Sequence, residues 1–123
     1  MRAFALAPLL SCAAIVLAAC GGEPPLMHVA GGQADRGRVA IERYGCVACH
    51  TIPGVASYGA NVGPPLGAIA RRAYIAGVLP NTPGNMVLWL QDPPAVDPRT
   101  VMPRLGLDAQ EAADVAAYLY ARH

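Results

Sequence analysis

Cys46, Cys49 and His50, in the stretch GCVACHTIPG, form a C-x-x-C-H pattern, and no other feature of the sequence limits the fold as strongly. Two thiols three residues apart beside an imidazole suit three chemistries: a redox dithiol, part of a zinc site, or covalent attachment of haem c. Each demands a different remainder of the chain. A thiol oxidoreductase places the pair at a helix start after a strand, yet no alternating, β-branched pattern flanks it here. A structural zinc site needs four ligands, and no convincing fourth accompanies these three. Haem attachment lacks nothing: two thioethers hold the porphyrin, and His50 is thereby placed under the iron.

The compartment agrees with that reading. After Arg2 the run AFALAPLLSCAAIVLAAC is a basic start followed by an apolar stretch, the pattern of an export signal. It ends in LAAC, Leu17 to Cys20, which resembles the lipobox of bacterial lipoproteins. Cleavage before Cys20 removes residues 1–19 with Cys12 and leaves Cys20 as a lipidated N-terminus, so acyl chains hold an exported domain on a membrane, facing the periplasm or the cell exterior. A simple cleaved signal or an uncleaved anchor would export the domain as well. Residues 20–33 are Gly- and Pro-rich without helical or strand period and are expected to form a flexible tether, leaving 34–123 as the folded domain. With Cys12 removed and Cys20 lipidated, Cys46 and Cys49 are one close pair, too few for a disulfide framework.

Charge excludes one class of partner. Beyond residue 19 the chain holds eight arginines, eight acidic residues and no lysine. A formally neutral domain offers no basic face to neutralise phosphates, so a nucleic-acid partner is not expected.

Periodicity predicts helices on both sides of the motif. Gly37, Ala40, Ile41 and Tyr44 fall at i, i+3, i+4 and i+7, the stripe of an amphipathic helix ending near Gly45, and Ala112, Val115, Ala116 and Leu119 repeat that spacing. Asp108 and Glu111 are placed to form a capping box for this last helix. In NTPGNMVLWLQDPP, Thr82 is a cap, Pro83 suits the first helical position, and Pro93 with Pro94 is a stop. A shorter helical piece is expected from Pro65 to about Arg72. The fold class is all-α, with a core so small that a haem would have to complete it.

Order and spacing over Gly31 to His123 resemble the class I c-type cytochromes, monohaem proteins with a small fold wrapped around one haem. The resemblance rests on a helix containing Gly37, then CVACH, then GPPL from Gly63, WLQDP, TVMP and a terminal helix with AAYL. It is nearest to the cytochrome c domains associated with subunit II of bacterial haem-copper oxidases.

That resemblance implies a role for each matching position. Met102 is the sixth iron ligand opposite His50, helped by Pro103, which restricts it to extended backbone. The Pro64 carbonyl accepts the second ring hydrogen of His50, although a Pro-Pro pair also opens loops. Trp89 packs against the haem near the Met sulfur or is simply core. Arg72 and Thr100 match propionate-binding positions, with an exposed Arg the alternative. Gly37 and Tyr118 match the close crossing of the first and last helices. Met86 and His28 are the rival ligands, Met86 reading better as core and His28 lying in the tether.

The function implied is single-electron transfer without catalysis. The donor would be a membrane dehydrogenase or cytochrome bc-type complex and the acceptor a terminal oxidase or reductase. The alternatives are a fixed haem c subunit of one redox complex, or a peroxidase or gas-binding protein in which Met102 is labile.

Overall fold

The computed structural model describes residues 27–57 and 59–122; the export signal and Cys20 lie outside them, as does His123. Helix α1 spans Ala34–Arg43 and ends where Gly45 turns the chain with φ of 69°, a left-handed conformation that disfavours side chains. The C-x-x-C-H pattern follows at once, with a single 3₁₀ turn over Cys46–Ala48. A second 3₁₀ turn, Ile69–Arg71, stands where the longer helical piece was expected. Its entry at Ala68 is left-handed, φ 53°, and the prolines and glycines ahead of it cannot sustain a longer helix.

A hairpin not expected from the sequence follows, β1 Tyr74–Ile75 paired with β2 Leu79–Pro80. The pairing is two residues long, with Ala76 and Gly77 left-handed at its turn. A period-2 pattern cannot register over so short a span. Helix α2, Pro83–Gln91, is capped by Thr82 Oγ1, which accepts from the Asn85 N–H at 3.2 Å. Pro93 and Pro94 do end this helix, but they also start another: Asp92 caps α3, Pro93–Val96. Proline at a first helical position needs no N–H partner, so one residue pair serves both purposes.

Helix α4, Ala109–Tyr120, carries the expected capping box between Asp108 and Glu111. Its stripe, Ala112, Val115, Ala116 and Leu119, is fully buried. Across it lies α1, and a Cβ at Gly37 would stand 2.0 Å from the Asp114 carbonyl oxygen, so only glycine permits this approach. The tether expected over 20–33 is docked on α4 in the part described. Val29 is buried in the core, and Gly32 lies against the Ala113 carbonyl and the Ala117 side chain. The Asp114 carboxylate fastens this segment: it accepts from the Gln33 N–H at 2.7 Å, from Arg36 at 2.7 and 2.9 Å, and from Gln110 at 3.0 Å. Gly and Pro content alone does not separate a solvated linker from a chain laid flat on a helix.

Candidate functional site

One cavity of about 520 Å³ opens between the motif, the 69–77 segment, α2 and the loop before α4. That volume lies within the roughly 300–1,000 Å³ of cofactor clefts. Its floor is apolar, formed by Ile41, Ile52, Leu90, Val115 and Leu119. Every site residue read from the sequence within the described part lies on its lining: Cys46, Cys49, His50, Pro64, Arg72, Trp89, Thr100 and Met102. Met86 lines it too, deeply buried, whereas His28 is exposed and absent from it.

The motif is held by its own backbone. His50 N–H donates to the Cys46 carbonyl at 3.0 Å, and the Gly63 N–H to Cys49 and the Leu66 N–H to Thr51 lay the GPPL stretch alongside at 2.8 and 2.9 Å. Those two bonds bring the Pro64 carbonyl to 2.8 Å from His50 Nδ1. Nδ1 is therefore the protonated ring nitrogen, and Nε2 keeps its lone pair for a metal. Gly63 has a steric reason that the sequence does not announce. A Cβ there would stand 2.3 Å from His50 Cε1.

Cys46 and Cys49 are free, half-buried thiols on the cavity lining. Burial pushes the Cys46 thiol up, away from the depressed values of redox-active thiols. Among the described residues no group of three or more His, Cys, Asp or Glu side chains is arranged to hold a metal ion. Two unpaired thiols and an imidazole on an apolar cavity of cofactor size are the donor set that haem c requires. The residues fit that group, and they fit neither a dithiol centre nor zinc.

On the loop 97–107, Thr100 Oγ1 accepts the Met102 N–H at 3.1 Å, so Thr100 braces the methionine. Arg72 donates to the carbonyls of Pro65 and, at 3.5 Å, Gly67, holding the stretch that carries Pro64. Trp89 is buried in the same core cluster as Leu90 and Met86. Around the mouth, Val62, Tyr74 and Val101 are exposed while still touching the cavity.

Sequence reading missed three polar supports: Asp114, Asn81 and Tyr120. Asp114 lies off the apolar stripe of α4, where a charge reads as solvent-facing, and its Arg36 partner is 78 residues distant. Asn81 reads as an ordinary loop residue. Tyr120 is buried, and that burial pushes its hydroxyl up to about 12.

The family model described as cytochrome c matches residues 34–121. Cytochrome c oxidase subunit 2 of Alkalihalophilus pseudofirmus is 31% identical over 87 residues, 70% of this chain. The match spans only 25% of that relative's length. The structure of cytochrome c2 from Rhodobacter sphaeroides superposes with a TM-score of 0.52 at 21% identity, over 74% of this chain and 96% of that one; it shows a shared fold.

Proposed function

The chain belongs to the cytochrome c family and carries one haem c through Cys46 and Cys49, and from that premise we propose a membrane-tethered monohaem electron carrier whose iron is held by His50 and Met102. One observation carries the reading. The two thiols, His50 and Met102 all line a single apolar cavity. When bound, the haem supplies one-electron chemistry between ferrous and ferric iron.

The chain's own residues set the conditions for that exchange. Pro64 fixes the His50 tautomer and raises its basicity as a ligand. The Met102 thioether is a soft donor that would favour the reduced metal, and an iron held by both His50 and Met102 would leave a substrate no place to react. Thr100 orders the loop on which Met102 sits, while Trp89, Met86 and Leu90 keep water from the interior. Ligands that persist through the redox cycle keep reorganisation small.

Similarity to an oxidase subunit 2 supports a terminal oxidase as acceptor; a dehydrogenase or cytochrome bc-type complex would be the donor. With a formally neutral domain, docking rests on short-range contact at Val62, Tyr74 and Val101, and on confinement by lipid at Cys20. Export is supported by the basic start and apolar run of residues 2–19, and lipidation by LAAC.

Met102→Ala decides the ligation. Haem stays covalently attached, the potential falls, and ferrous protein binds carbon monoxide; an unchanged spectrum and potential would hand the ligand role to Met86 or His28. Carbon monoxide binding by the wild type would instead favour the gas-binding alternative. Cys20→Ser tests the anchor separately, with release from the membrane and an unaltered haem spectrum expected.

A further inference from the structure

One wall of the cavity is the segment 69–77, through Ile69, Arg72, Tyr74, Ile75, Ala76 and Gly77. A single 3₁₀ turn and a two-residue hairpin are all the regular structure it possesses. Helix α2, which packs against β1, contributes Met86, Trp89 and Leu90 to the same lining. Between the two stands Asn81, one residue ahead of the α2 cap.

Its side chain is fully engaged. Nδ2 donates both hydrogens, to the Ile69 and Arg72 carbonyls at 2.8 Å each, and Oδ1 accepts the Tyr120 hydroxyl at 2.6 Å. The Asn81 backbone N–H adds a bond to the Ala73 carbonyl at 2.9 Å. Tyr120 is itself buried near the end of α4, so the amide is clamped from behind while it grips the irregular wall in front.

We propose that Asn81 is a positioning residue for electron transfer: it locks the 69–77 wall to α2 and keeps the cavity dry in both oxidation states, with Tyr120 fixing its orientation. The proposal rests on the family's haem occupying this cavity and is independent of ligation by Met102. Removing the amide orphans two wall carbonyls, and the wall opens to water that favours the more highly charged ferric state. Removing only the Tyr120 hydroxyl leaves both donated bonds intact. The two residues should therefore differ in size of effect and be coupled.

The test compares Asn81→Ala, Tyr120→Phe and the double variant in the full-length haem protein, each first confirmed as haem c by its pyridine haemochrome spectrum. Asn81→Ala lowers the midpoint potential and speeds exchange of the Arg72 and Val78 amides on the order of tenfold, while α4 amides such as Val115 exchange as before. Tyr120→Phe shifts both in the same direction by less, and adds nothing to the potential once Asn81 is alanine. An Asn81→Ala variant that melts earlier at unchanged potential would reduce Asn81 to a structural residue and overturn the proposal. A Tyr120→Phe effect that persists undiminished in the double variant would do so too. Should Asn81→Ala fail to mature, a Tyr120→Phe variant with wild-type potential and wall exchange is decisive against it. A correct haemochrome with unchanged potentials defeats the proposal without touching the family assignment, whereas loss of the haemochrome in the wild type would defeat the premise.

Discussion

The crossing of α1 and α4 and the wall of the cavity hold the same small domain together by opposite means. At the crossing two regular helices meet backbone to backbone over Gly37, and a buried carboxylate at Asp114 binds the flanking chain. At the wall, short irregular segments are tied by side chains reaching for carbonyls: Asn81 to Ile69 and Arg72, and Arg72 to Pro65. Helices satisfy their own backbone, so two of them need only a close fit. Loops leave backbone groups over, and those must be answered one at a time. A change at the crossing should appear as lost folding, and a change at the wall as altered redox properties in a protein that still folds.

The largest expected effect comes from forcing the crossing apart. Gly37→Ala places a methyl 2.0 Å from backbone that cannot yield, and a loss of about 3 kcal/mol or more in urea unfolding is expected. Next is Asp114→Ala, which strips the partners from Gln33 and Arg36 and costs about 2 kcal/mol. Burial pushes the Asp114 carboxyl up, but the hydrogen bonds from Arg36, Gln33 and Gln110 outweigh it, leaving the group below its ordinary 3.8. A carboxylate lowered on folding contributes its stability above the unfolded value, and loses it as pH falls through the folded one. Wild-type melting temperature should therefore drop below about pH 4, and the Asp114→Ala curve should be flatter there.

On the wall the readout changes. Gly63→Ala drives a methyl against the His50 ring; unfolding free energy should fall by only about 1 kcal/mol, while the Soret spectrum and potential move clearly. If Gly63→Ala proved as destabilising as Gly37→Ala, the division between the two regions would collapse. The smallest effect has the opposite sign. Ala76 holds φ of 50° at the hairpin turn, so Ala76→Gly relieves strain and should raise stability by up to about 1 kcal/mol, net of glycine's greater unfolded freedom.

The same division explains what could be read from the amino acids alone. Helices α1, α2 and α4 announce themselves by period and by caps at Thr82 and Asp108, because their stabilising contacts lie three or four residues apart. The motif and its surroundings are legible for a related reason: Cys46, Cys49 and His50 are neighbours in the chain, and the other haem-facing positions follow from the order of short stretches. Asn81, Tyr120 and Asp114 were not legible. Apart from Gln110, four residues from Asp114, the partners of their side chains lie from 9 to 81 residues away, and a lone Asn, Tyr or Asp carries no mark of the carbonyl or guanidinium it will meet. The hairpin escaped because two residues per strand are too few for alternation, and the docked segment because Gly32 is small for fit rather than for freedom.

That docked segment has a mechanical consequence. Val29 to Gln33 lies along the Ala113 and Ala117 side of α4, and at 100° per residue this is turned by about 120–160° from Val115 and Leu119, which line the cavity. A pull on the chain ahead of Val29 enters the molecule through the Asp114 clamp and passes to α1 and α4. That load path reaches the cavity only at its floor, through Ile41, Val115 and Leu119, and bypasses the 69–77 wall and the loop that carries Met102, so tension at the N-terminus is expected to leave those two segments undisturbed.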